Sequence, residues 1–172
     1  DNIYPVGMPK KKAEERELAE HKILLQTNAV KDYPGKVLFI PGNHDWYKYG
    51  LDGLRRQKKF VEDELGSKKI WQPEVGCGGP EVIEVNDNLV YIVIDSQWWL
   101  TNWKGHPGIN QGCEATNRTE FMRLFKDAVK GNKEKNIVVV MHHPMETYGR
   151  HGGRFTAKDL LLPIPDISFL LP

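Results

Sequence analysis

The chain has 172 residues, with 24 Lys plus Arg against 23 Asp plus Glu and a formal net charge of +1; that length suits one domain with a sizeable core. The balanced charge excludes broad electrostatic capture of nucleic acid. No apolar run approaches the ~20 residues that span a bilayer, and no signal peptide opens the chain.

Asp1-Asn2-Ile3-Tyr4 reads as the inside of a motif, and the chain ends on Leu170-Leu171-Pro172, so it reads as an excerpt of a longer protein. Pro9 to about Lys31 is rich in Lys, Glu, Ala and Leu. Leu18, Leu25 and Ala29 fall at helical spacing and predict a helix with one modest apolar stripe. Lys10-Lys11-Lys12 reads as its solvated start. Tyr33-Pro34-Gly35 breaks this helix. The apolar run Val37-Leu38-Phe39-Ile40 then predicts a strand covered on both faces. After the Gly42 loop, Leu54, Val61 and Leu65 share a face of a second helix, Leu51 to Leu65, stopped by Gly66.

Cys77 and Cys113 lie in Gly-containing loops without Cys-x-x-Cys spacing. They are either a disulfide, which implies an oxidising compartment, or two free thiols. Glu81 to Val85 and Leu89 to Ile94 flank Asn86-Asp87-Asn88, a hairpin signal. Asn117 with Glu120 three residues on resembles a capping box for a third helix, to about Val129; Asn117-Arg118-Thr119 also fits a glycosylation sequon, and the cap is the preferred reading. Ile137 to Met141 reads as another buried strand, running into His142-His143-Pro144. Leu160 to Pro172 is apolar and broken by proline. The order predicts an α/β fold with a mixed sheet, whose site lies in loops past the carboxyl ends of strands.

Those loops carry the chemistry. Gly42-Asn43-His44-Asp45 delivers an amide oxygen, an imidazole and a carboxylate, ligands suited to divalent and trivalent metals. Two histidines after a Val-rich strand are hard to explain as packing. They point to different sides, so at most one is a direct ligand. Asp1 offers a carboxylate able to bridge two metals, and Tyr4 a phenolate suited to ferric iron. His151 sits in the polar loop Gly149-Arg150-His151-Gly152-Gly153. Trp46, Tyr47, Trp98, Trp99 and Trp103 either pack or line a pocket.

Together Asp1-Asn2-Ile3-Tyr4, Gly42-Asn43-His44-Asp45 and Val139-Val140-Met141-His142 resemble motifs of the calcineurin-like metallophosphoesterase superfamily, and within it those of the purple, tartrate-resistant acid phosphatases. His151 and Gly152, nine and ten residues past His142, match the small members. The first and last family motifs are not in this chain. The resemblance implies a four-layer αββα mixed β-sandwich flanked by helices, incomplete at both ends. Residues 1–155 would form its central part; residues 156–172 are an apolar, Pro-broken tail of unassigned role, which either covers a sheet edge or docks on another domain or chain.

It implies hydrolysis of phosphate monoesters by a metal-activated hydroxide at a binuclear centre holding Fe(III) and a divalent Fe, Zn or Mn. By the same resemblance Asp1 bridges the metals, Tyr4 binds the ferric ion, and Asn43 and His142 bind the divalent one. His44 meets the substrate phosphate with Asp45 orienting it, and His151 contacts the phosphate or protonates the leaving group. His143 supports the site or the fold without binding metal. The alternatives are a phosphodiesterase or nucleotidase with the same metal core, and a non-catalytic interaction module with a degenerate site. Purple-type phosphatases are usually exported, which places the protein outside the cytoplasm.

Overall fold

The structure is a computed structural model and describes residues 1–11 and 13–145. The chain divides into a unit spanning Asp1–His142 and a second that begins at His143. The tail from Leu160 lies outside the described residues. In chain order the first unit runs α1 (Ala13–Val30), α2 (Asn43–Trp46), α3 (Gly50–Leu65), β1 (Glu81–Asn86), β2 (Leu89–Val93), α4 (Ser96–Leu100), a single 3₁₀ turn at Trp103–Gly105, α5 (Arg118–Gly131) and β3 (Asn136–Val140). This is the mixed α/β architecture expected. β1 and β2 form the antiparallel hairpin, Glu81 opposite Val93, and β3 joins β2 in parallel, Val90 opposite Ile137. Among the described residues no helix is long and apolar enough to cross a membrane.

Two strand expectations need correction. Among the described residues Val37–Ile40 forms no strand and pairs through an isolated parallel bridge from Phe39 to Trp71, with Phe39 N–H donating to Ile70 O at 2.7 Å and Gln72 N–H to Phe39 O at 2.9 Å. Phe39 alone of the four is buried. Among the described residues β3 has a neighbouring strand on one side, β2, and Val138 and Val139 are exposed rather than covered. Burial of a strand depends on its neighbours, which the strand's own residues do not encode.

α1 is the third correction. Leu18 and Leu25 are 54% and 60% exposed, and Ala29 is exposed too. The buried stripe is Ala19, Ile23 and Thr27, four residues apart on one face. Polar contacts hold this helix in place: Gln26 donates to Asn2 O at 2.8 Å and Lys22 to Tyr4 O. α3 follows expectation. Leu54 and Val61 are buried, and Gly66 at φ +65° closes the helix in the left-handed region, where a side chain would be strained. On α5, Asn117 accepts from Glu120 N–H at 2.9 Å. The Glu120 carboxylate turns instead to Thr116 N–H and Oγ1, so only half of the expected box forms.

Trp46 and Trp98 are fully enclosed and take the packing role rather than the pocket one. Between them lies a residue that the sequence did not single out. Asp95 caps α4, its Oδ1 accepting from Gln97 N–H at 2.9 Å and Trp98 N–H at 3.1 Å, while Oδ2 accepts from Trp46 Nε1 at 2.9 Å. Burial pushes its carboxyl up to about 7, against the pull of those N–H donors. A folded-state value raised above 3.8 means that Asp95 favours the fold fully at lower pH and that this contribution is lost as pH rises through about 7. Thermal melts across pH 4 to 7 should therefore fall with pH, and the slope should flatten in Asp95→Asn. That variant also loses about 1–2 kcal/mol, because its amide faces the Trp46 N–H.

Cys77 and Cys113 are disulfide-bonded, resolving the alternative left open above. The bridge closes a loop of 36 residues, and Asn110 N–H donates to Gly76 O beside it. Replacing both cysteines by serine should cost about 3–4 kcal/mol by loss of the loop constraint on the unfolded chain, read as a drop in urea midpoint.

Candidate metal centre

The segment after Ile40 becomes a single helical turn, α2, because Gly42 starts it and the carboxylate of Asp45 reaches back to Gly42 N–H at 2.8 Å. A Cβ on Gly42 would fall 2.3 Å from Asp1 Oδ1 and 2.9 Å from the His142 ring. Only glycine lets these chain-distant residues meet over this turn.

Three donor atoms converge there. Asn43 Oδ1 lies 2.9 Å from His142 Nε2, and His142 Nε2 lies 3.5 Å from Asp1 Oδ1. Asp1 Oδ1 also accepts the His44 N–H at 2.9 Å. The Asn43–His142 contact is a side-chain hydrogen bond, and its length is also about the 3 Å that separates neighbouring donors on an octahedral cation at about 2.1 Å. Carboxylate, amide oxygen and imidazole also match a hard or borderline cation. Among the described residues no group of three or more His, Cys, Asp or Glu forms a metal cluster; the third converging donor here is the Asn43 amide.

His44 is held by Pro5, whose carbonyl lies 2.6 Å from Nδ1. Its ring sits between Tyr4 and Tyr47, with centroids 4.3 Å and 4.9 Å away. Tyr4 is 62% exposed, and its place in the site is this contact with His44. Asp45 is 0% exposed. The expected partnership of Asp45 with the His44 ring is not what the geometry shows. Its Oδ1 accepts from Ile3 N–H at 2.9 Å, Asn2 N–H at 3.0 Å and Gln57 Nε2 at 2.9 Å, and its Oδ2 from Gly42 N–H at 2.8 Å. Asp45 is therefore a buried joint between the Asp1 and Gly42 segments, and touches no solvent from which substrate would arrive. Burial raises its carboxyl above the usual range, and the N–H groups of Gly42, Ile3 and Asn2 pull it back.

His143 opens the second unit and is described apart from this cluster. His151 lies outside the described residues. Sequence reasoning missed Gln57 and Asn2, and named Tyr47 only as packing or pocket lining. Gln57 did leave a signal: it is a lone amide on the Leu54–Val61 face of α3 and is wholly buried. Asn2, which donates to Ile40 O at 2.9 Å, left none.

A sequence model described as calcineurin-like phosphoesterase matches residues 14–171. That span holds Asn43, His44, Asp45 and His142 and leaves Asp1 and Tyr4 before it. No curated protein and no solved structure matches the chain.

Proposed function

The chain belongs to the calcineurin-like phosphoesterase family, and on that premise we propose that it forms the central part of a site hydrolysing phosphate monoesters at two metal ions. The family supports phosphoester hydrolysis in general and generally uses two metals. The observation that carries the finer reading is the convergence of Asp1 Oδ1, Asn43 Oδ1 and His142 Nε2. Asn43 and His142 would hold a divalent ion, Asp1 would bridge it to a second, ferric ion, and Tyr4 would bind that one. When bound, two metals offset charge on the phosphoryl oxygens and lower the pKa of a water.

The chain's own residues supply the rest. Pro5 fixes the His44 ring through Nδ1, leaving Nε2 as the nitrogen for a phosphate oxygen. His151 is the proposed proton donor to the leaving alkoxide. The disulfide supports an exported location.

The full protein should hydrolyse p-nitrophenyl phosphate at least about tenfold faster than bis(p-nitrophenyl) phosphate. The reverse order would replace the monoesterase reading by a diesterase one. Tyr4 carries a separate expectation: iron-loaded protein absorbs visible light through its phenolate, and Tyr4→Phe is colourless. Colour retained in that variant removes Tyr4 from the site.

A further inference from the structure

Tyr47 has no part in the reading above, yet its hydroxyl is the partner of the amide that would bind metal. Asn43 Nδ2 donates to Tyr47 Oη at 2.8 Å, while Asn43 Oδ1 faces His142 Nε2 at 2.9 Å. The two residues are four apart across the single turn of α2, the separation at which side chains meet on one helical face. The Tyr47 ring also packs on His44 and is 43% exposed.

An amide is two-faced. A cation accepts its oxygen and repels its NH₂ group, so a carboxamide ligand works only in one of two nearly isosteric orientations. Tyr47 offers an acceptor lone pair on the side away from His142, where Nδ2 must go when Oδ1 meets a cation. We infer that Tyr47 is a positioning residue for the metal centre, holding the Asn43 side chain with Oδ1 presented to the ion. A hydrogen bond donated by Nδ2 also polarises the amide and makes Oδ1 a better donor, as outer partners do for ligating groups. Asn43 could not be so held by phenylalanine, which keeps the ring against His44 and lacks only the hydroxyl.

This inference rests on Asn43 being a ligand, and the test separates the two. Co²⁺ is titrated into the metal-free full protein and followed by its visible d–d bands, which report both affinity and ligand field. Wild type, Tyr47→Phe, Asn43→Ala and the double variant are compared, with thermal melts showing that each folds. Tyr47→Phe should weaken Co²⁺ about tenfold, the lower end of the effect of losing an outer-shell partner, and should shift the bands. Asn43→Ala should weaken it more, and the double variant should bind no worse than Asn43→Ala alone. Unchanged affinity and bands in Tyr47→Phe, with weakened binding in Asn43→Ala, overturn the role of Tyr47 and leave Asn43 as ligand. Unchanged binding in Asn43→Ala overturns both. A loss from Tyr47→Phe that persists in the Asn43→Ala background overturns the inference too, since Tyr47 would then act other than through Asn43.

Discussion

His142→Ala should abolish metal retention and turnover together while leaving the fold intact. His142 follows directly on β3 (Asn136–Val140) and is only partly buried, with a quarter of its side chain exposed. It lies outside the buried core cluster. Losing its ring there should cost the metal-free protein about 1 kcal/mol or less. The loss to the site is far larger. Even partners that only orient a ligand are worth about 10–100-fold in metal affinity, so a direct nitrogen donor should exceed about 100-fold. Stability makes the distinction measurable. A metal present at 100 times its Kd stabilises the wild type by about 2.7 kcal/mol, which raises Tm by about 5–10 °C for a chain of this size. In His142→Ala that metal-dependent increment should vanish while the metal-free melt stays within a few degrees of wild type. Wild-type turnover in His142→Ala would sink the assignment of the centre.

How much of this was legible depended on the range of the interactions involved. The β1–β2 hairpin and the α5 cap were readable because a turn of Asn-Asp-Asn and an Asn with Glu three residues on act within a few residues of chain. The close of α3 was readable for the same reason, since only Gly66 at φ +65° must satisfy it. The exposure of β3 and the near-absence of strand at Val37–Ile40 were not readable, because they turn on which neighbours a strand finds across the fold. α1 misled for a further reason. Leu18 and Leu25 outweigh Ala19 and Thr27 in apolarity, yet the helix docks through the face of Ala19, Ile23 and Thr27 and through Gln26 and Lys22 to backbone carbonyls of the Asp1 segment. A periodicity argument weighs apolar side chains and is blind to such bonds. At the candidate site, the types of Asp1, Asn43, His44 and His142 are what led to the proposal of metal and phosphate chemistry. The division of labour around them required distances. The family resemblance made Asp45 a helper of His44, whereas its side chain is buried against Asn2, Ile3, Gly42 and Gln57 and Pro5 holds the ring.

That inward carboxylate gives the second large effect. Asp45→Asn keeps the shape of the side chain and should still damage both stability and site. Among the described residues the hydrogen-bond partners of Asp45's carboxylate oxygens are all donors: Asn2 N–H and Nδ2, Ile3 N–H, Gly42 N–H and Gln57 Nε2. Whichever way the new amide turns, its NH₂ meets N–H groups in a site with 0% exposure. One buried donor left unsatisfied costs about 1–3 kcal/mol, and here at least two face the NH₂, so a loss of about 3 kcal/mol is expected in urea titration. The same bonds tie Asn2 and Ile3 to Gly42, and through them Asp1 to Asn43. Slack in that joint displaces two donor atoms at once, and a 1 Å misplacement can cost about 100-fold in rate. Gln57→Leu provides the graded comparison, because it removes one of those donors and leaves the carboxylate and its backbone partners in place. It should cost about 1 kcal/mol and less than tenfold in kcat/KM. If Asp45 instead acted directly in the reaction, Asp45→Asn would cut kcat with little change in the urea midpoint, and Gln57→Leu would be silent. Parallel losses in stability and activity, ordered Asp45→Asn above Gln57→Leu, would mark Asp45 as the joint on which the metal-facing loops are hung.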